Sequence, residues 1–512
     1  MKFARYSRKA LAVLLSLLLL LAALGAGASA APAACSCREL PRVFVPGIGA
    51  PLYRSFGLPE QETLGVVDLA GLRAAILPVA LKLIQAVAQK SWDPAADALS
   101  ALAYGMFRHL LVDEEGVSAQ PVTARAVLNP DQDHRNGGMY VFEYDWRMDP
   151  MESAMALHAF IQDVKEATGH EKVALIPTSE GACIAMAYFA QYEYNDIAHY
   201  IPVAGAHNGL TMVGELFNRN VELSADITAE YMRSIARTMG EGAIRLLIPL
   251  ADLLEQSGLV DLLVRALSVL LDNCADKVFD DALIPLFVQW PALWAFVPDE
   301  YYESAKTALL GDAKYDNFKV MIDAYHYAAG PGLADGLLLE ASKTARVSIM
   351  ACYGLPSQPF APNLRGVDAD GLIDTARESS GAVTAGLWST FPADYTQQGA
   401  DCHGHISPDR RVDASTCLFP DQTWFFKYTS HFDCIYENFL DFLIYSETPP
   451  TVFTSGDWPQ FLTHNGDGTF RPTAPEEAPA RGMTLLRSIW SLIIAALRVA
   501  WVQIFEPLQS KI

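Results

Sequence analysis

Ser179 stands in the run Pro177-Thr178-Ser179-Glu180-Gly181, between an apolar stretch at 173–176 and the small-residue stretch Ala182-Cys183-Ile184-Ala185. A serine on the sharp turn from a buried strand into a helix projects its hydroxyl away from the backbone. The helix N-terminus behind it favours developing negative charge. That is the setting of a nucleophile in acyl transfer. The turn closes only when the residues two before and two after the serine are small. Gly181 meets the requirement, and Pro177 stands where glycine is usual. Cys183, in a small apolar setting, is read as a packing residue and not as a second nucleophile.

A serine hydroxyl needs a base to take its proton, usually a histidine oriented by a carboxylate. Where the nucleophile sits on a strand-to-helix elbow, the chain order is serine, acid, histidine. Past the apolar stretch 347–353 the chain reads Val367-Asp368-Ala369-Asp370-Gly371-Leu372-Ile373-Asp374. An Asp-Gly turn beyond a strand end makes Asp370 the expected acid, with Asp368 and Asp374 as alternatives. Past 424–428 comes Thr429-Ser430-His431-Phe432-Asp433, and His431 is the expected base. The oxyanion formed on attack needs N–H donors. Those expected are the backbone N–H of Glu180 and that of Ile48, with Gly49 the next choice, in the turn Val45-Pro46-Gly47-Ile48-Gly49.

A rival constellation, Asp401-Cys402-His403-Gly404-His405 with Asp409, has metal-ligand residue types. It lacks a second ligand pair at regular spacing, so it reads as a structural or disulfide-pinned loop. No metal site and no cofactor are expected. Of the eight cysteines, Cys402 and Cys417 are the candidate disulfide pair.

These residues need a scaffold. Apolar runs at 43–45, 139–144, 173–176, 200–203, 347–353 and 424–428 read as strands covered on both faces, with helical stretches between them, as at 151–167 and 181–194. Strand and helix in alternation predict an α/β protein with a mainly parallel sheet flanked by helices. Residues 211–342 read as almost wholly helical, an inserted cap or lid. At 259–272 the polar residues Asp261, Arg265, Ser268 and Asp272 share one helical face and leave a wide apolar one, either buried in the cap or offered to lipid. The core is therefore expected in two parts, 38–210 and 343–448. A polar, turn-rich segment and linker is expected at 449–482, followed by an amphipathic C-terminal helix at 483–512. Arg487 and Arg498 share a face of that helix, which favours lying in a membrane interface over spanning it. Residues 1–30, with a basic start, an apolar run and the small-residue exit Ala28-Ser29-Ala30, read as a signal peptide. The protein is expected to be secreted or extracytoplasmic. Pro32 argues against reading Cys35 as a lipidated N-terminus. The formal charge of −22 argues against a nucleic-acid partner.

Taken with Val43–Gly49, the run Tyr144-Asp145-Trp146-Arg147 followed by Asp149-Pro150, and Thr168-Gly169-His170, the chain resembles the lecithin–cholesterol acyltransferase branch of the α/β-hydrolases. The stretch 370–380 and the turn His431-Phe432-Asp433 are similar to those of bacterial triacylglycerol lipases. The resemblance covers most of residues 40–445. It implies an α/β-hydrolase fold with an inserted helical cap, a Ser179–Asp370–His431 triad, and Ile48 and Glu180 as oxyanion donors. It further implies a carboxylic ester hydrolase (lipase, esterase or phospholipase) or an O-acyltransferase acting on a lipid ester, with membrane-surface association through the C-terminal helix and lid. Glu180 departs from the apolar residue usual there; as a carboxylate at the site mouth it would disfavour anionic substrates. Two other readings stand beside this one: a catalytically inactive lipid-binding or cell-surface module of the same fold, and a hydrolase of another acyl bond.

Overall fold

The computed structural model describes residues 35, 37, 39–54, 62–89, 91–118, 128, 133–238, 241–399 and 404–475. The expected signal peptide, the C-terminal helix and Cys402 lie outside these residues, and with Cys402 so does its expected pairing with Cys417.

A ten-stranded sheet organises the chain. Its strands are β1 (Arg42–Val45), β2 (Met139–Val141), β3 (Val173–Ser179), β4 (Ile197–Tyr200), β5 (Val203–Gly205), β6 (Arg346–Val347), β7 (Ile349–Tyr353), β8 (Thr423–Lys427), β9 (Phe461–His464) and β10 (Phe470–Pro472). Across the sheet the order is β10-β9-β8-β7-β5-β3-β1-β2, with β4 and β6 continuing the rows of β5 and β7. Every pairing is parallel except β9 with β10. The protein is thus α/β, with a mainly parallel central sheet flanked by helices.

The period-two alternation of strands explains their unbroken apolarity. Along β3, Val173 and Leu175 enter the core on one face, while Ala174 and Ile176 enter the core on the other. The first face is covered by α1 (Pro150–Thr168), α2 (Gly181–Gln191), α3 (Asp316–Ala329) and α4 (Pro331–Ala341). The second is covered by α5 (Glu437–Tyr445) through Phe439, Leu440 and Leu443. The run expected as one strand at 200–203 is broken into β4 and β5 because Pro202 has no N–H to give the ladder. The ladder resumes around it, with Met350 N donating to Pro202 O at 3.0 Å.

Two boundaries differ from expectation. The segment expected as turn-rich linker contains β9, whose Phe461 and Leu462 are buried against β8. Four residues ending in Thr463 and His464 are too short and too polar to show as a strand by pattern. The helical stretch after β5 is not one unit either. Trp290, Trp294, Phe318 and Tyr325 join the main core, whereas Ala229, Val260 and Val264 form a small separate cluster. On the helix Leu259–Val278, Leu262 and Leu263 of the wide apolar face remain more than half exposed. The helix Leu69–Gln89 presents a second such face, with Ile76, Leu77, Leu81 and Ile84. Its Leu69–Ala86 stretch is, among the described residues, the one helix long and apolar enough to cross a membrane.

Helix α1 carries its own start and stop signals. Asp149 caps it by accepting from Met151 N at 2.9 Å, Pro150 follows, and Gly169 ends it in the left-handed region. Burial pushes the Asp149 carboxyl up to about 6. A carboxyl raised on folding gives stability that is complete below its unfolded pKa, near 3.8, and lost as pH rises through about 6. Asp149→Asn keeps the cap and removes the titration. In urea unfolding between pH 4 and 7 the variant should therefore show a flatter stability profile than the parent, with its relative gain largest at pH 7.

Candidate active site

The end of β3 carries Ser179 into α2, and the backbone there is left-handed, with φ 52°. An L-residue pays about 1–2 kcal/mol for that conformation. Close packing enforces it. A Cβ on Gly181 would come within 2.1 Å of Val45 O, and one on Gly47 within 2.5 Å of Ser179 Cβ. The small residues of the turn are therefore required by the approach of the β1 loop. Pro177 is accepted because it lies near the strand end, paired with Val45.

His431 and Asp370 arrive from two other segments. His431 Nε2 lies 2.9 Å from Ser179 Oγ, and His431 Nδ1 lies 2.6 Å from Asp370 Oδ2. The second carboxylate oxygen of Asp370 accepts from Leu372 N at 2.8 Å and Ile373 N at 2.7 Å, while His431 N donates to Asp370 O at 2.9 Å. Asp370 is fully buried and His431 is 7% exposed. The three residues proposed from sequence are thus joined in one chain of hydrogen bonds. The alternatives for the acid are engaged elsewhere. Asp368 pairs with Arg411 at 2.8 Å, and Asp374 caps the short helix Thr375–Glu378 and accepts from Thr211 Oγ1.

The loop after β1 lies against the serine. The Cβ position of Gly47 is 2.9 Å from Ser179 Oγ and 3.3 Å from Glu180 N, and Ile48 follows at the cavity wall. The run Tyr144–Arg147 buttresses this loop. Tyr144 donates its hydroxyl proton to Pro46 O at 2.7 Å, Trp146 Nε1 donates to Ala50 O at 2.9 Å, and the buried Arg147 forks onto Asp145 at 2.9 and 2.6 Å. The sequence singled out this run, but only the structure shows that it supports the loop.

The serine opens onto a cavity of about 650 Å³. Its walls are mostly apolar: Val66, Met212, Val213, Leu293, Phe296 and Leu372, with Phe432 at the rim, 83% exposed. Met212, Val213 and Leu293 come from the helical stretch between β5 and β6, so that stretch supplies one side of the chamber.

Glu180 is not the carboxylate at the site mouth that its position suggests. Its side chain is fully buried, beside Tyr144 and Asp145. Burial, followed by the charge of Asp145, pushes its carboxyl well above the usual carboxylate range. Cys183 is buried and its thiol is raised by burial, as suits a packing residue. In the rival constellation, His405 Nδ1 meets Gln460 at 3.0 Å and Asp409 pairs with Lys427 at 3.0 Å; Asp401 and His403 lie outside the described residues. The expectation of no metal site meets a different group, Cys35, Cys37, His134 and His170, whose ligand atoms lie within 4.8 Å of one another. Only Cys35 and Cys37 are close in sequence; the histidines enter 97 and 133 residues after Cys37, so no spacing rule links the four.

A short Asp370–His431 bond leaves a mark independent of activity. Proton NMR of the protein should show one strongly deshielded imidazole N–H resonance. It should disappear in Asp370→Asn and in His431→Gln, and its survival in either variant would contradict the geometry.

No protein-family model matches the chain, and no curated protein sequence matches it. A solved structure described as "The crystal structure of Tle4-Tli4 complex" is similar over 61% of this chain and 74% of that one, at 12% identity and a TM-score of 0.25. A likeness at that level carries no argument.

Proposed function

We propose that this protein is an exported serine hydrolase of the α/β-hydrolase type, with a helical cap over its site, that cleaves or transfers acyl groups of lipid-like carboxylic esters. One observation carries the reading: the Asp370–His431–Ser179 chain, at 2.6 and 2.9 Å, ends on a serine held at positive φ at the start of a helix. Buried polar side chains do not converge in this way for packing alone, and the order serine, acid, histidine suits the elbow.

In this mechanism His431 Nε2 takes the proton of Ser179 as Oγ attacks the ester carbonyl carbon. Asp370 holds the ring and stabilises the imidazolium. The N–H groups of Glu180 and Ile48 receive the oxyanion. His431 then returns the proton to the departing alkoxide, leaving an acyl-serine and a free alcohol. Water or a second alcohol, deprotonated by the same nitrogen, releases the acid or a new ester. The burial that raises the Glu180 carboxyl disfavours a negative charge beside the oxyanion, which suits this role.

The lipid character of the substrate rests on the apolar cavity wall and on the exposed apolar faces of the helices Leu69–Gln89 and Leu259–Val278, which suit a lipid surface. The expected C-terminal helix would add to that surface.

Ser179→Ala should abolish labelling by a fluorophosphonate and lower hydrolysis of a chromogenic acyl ester by about 10⁴-fold or more. Undiminished labelling of the variant would refute the assignment. No labelling of the parent, with saturable lipid binding, would favour the inactive module. Gly47→Ala should slow labelling by about 10²-fold while circular dichroism stays unchanged, since the added methyl displaces the loop or the serine. A panel of esters of rising chain length, with and without an alcohol acceptor, should show a preference for long acyl chains; turnover of peptides or thioesters alone would contradict the lipid reading.

A further inference from the structure

At the opposite end of the sheet from Ser179, three segments meet before their strands begin. Cys35 and Cys37 precede β1, His134 precedes β2, and His170 lies between α1 and β3. These strands are neighbours, in the order β2-β1-β3, so the register brings the segments together. Cys35 N donates to Gly169 O at 2.9 Å, which ties Cys35 to the end of α1.

Four ligand atoms converge there. Sγ of Cys35 and Cys37 are 3.2 Å apart, and His134 Nε2 is 3.7 and 3.2 Å from them. His170 Nε2 is 3.3 Å from Cys37 Sγ and 3.1 Å from His134 Nε2. A tetrahedral Zn²⁺ with ordinary Zn–S and Zn–N bonds sets S–S, S–N and N–N edges of roughly 3.8, 3.6 and 3.3 Å. Four of these five edges fall inside those figures, Cys35 Sγ to His134 Nε2 lies just outside at 3.7 Å, and the sixth pair, Cys35 Sγ and His170 Nε2, lies within 4.8 Å. The imidazoles are edge to face, at 80°, so that both Nε2 atoms meet the sulfurs. Beside His134, Asp133 Oδ1 lies 3.8 Å from Nδ1, beyond hydrogen-bond reach, and accepts from Arg135 N and Nε at 3.0 Å. A disulfide explains less. The sulfurs are well beyond bonding distance, and a disulfide would leave two imidazole nitrogens converging on nothing.

The geometry points to a structural Zn²⁺ site built by Cys35, Cys37, His134 and His170, which staples the segment preceding β1 to the starts of β2 and β3. Two thiolates and two imidazoles suit zinc. Four protein ligands leave no open position, so the ion holds structure and takes no part in chemistry at Ser179. The inference is independent of the proposed activity.

The full chain, purified without chelators, should contain about one zinc per molecule by elemental mass spectrometry. Cys37→Ser and His170→Ala should each lose most of it. Exchange of Co²⁺ into the unaltered protein should give the visible bands of tetrahedral cobalt with a thiolate-to-cobalt charge-transfer band, so the test survives even if the variants do not fold. Strong chelation should lower the thermal midpoint, and added Zn²⁺ should restore it. Zinc absent after incubation with excess Zn²⁺, octahedral cobalt, a Cys35–Cys37 disulfide or a lipid on Cys35 by peptide mass spectrometry would each overturn the site.

Discussion

The backbone of Ser179 sits in the left-handed region, and the molecule keeps it there by crowding. Val45 O lies where a side chain on residue 181 would go, and Ser179 itself lies where a side chain on residue 47 would go. The turn between β3 and α2 and the loop after β1 therefore fix each other. Their contact brings Gly47 against the Ser179 hydroxyl and the backbone N–H of Glu180. Strain of this kind persists only where the surroundings over-determine it. Here they do: β3 is a central strand paired on both sides, and α2 is buried along nearly its whole length.

The histidine and the acid depend on a second constraint, the management of buried charge. Asp370 is removed from water, and its carboxylate is met by two backbone N–H groups and the imidazole. Around it, Asp368 with Arg411 and Asp409 with Lys427 form buried ion pairs that tie the acid turn, the 404–413 loop and β8 together. Such pairs add little net stability, but losing one partner leaves an uncompensated charge, at a cost of about 3–5 kcal/mol. They hold the geometry of three distant chain segments more than they hold the fold.

The strands that build the site were legible because they are buried on both faces and so read as unbroken apolar runs. Ser179, Asp370 and His431 were legible because each follows such a run in an order that chemistry restricts. What stayed hidden was set by tertiary contact. The strand Phe461–His464 is too short to carry a period. The side chain of Glu180 could point to the mouth or beneath the turn, and nothing local decides between them. Trp290 and Phe318 look like any helical core residue, and only packing assigns them to the main core and not to a separate cap. The four residues Cys35, Cys37, His134 and His170 share no spacing rule, because strand order and not sequence brings them together.

The sheet thus joins two different kinds of arrangement. At one end its strands stop at a strained turn beside an apolar chamber. At the other, the segments leading into the same strands converge on two sulfurs and two nitrogens. The central claim is that Ser179 forms a covalent bond to the acyl group. It is tested most directly by mixing the protein with a slowly released acyl ester, quenching in acid and locating the adduct by peptide mass spectrometry. The account predicts a single acyl group on the peptide that carries Ser179, formed and lost at rates that match turnover. Turnover with the acyl group on another residue, or with none on the protein, would contradict it.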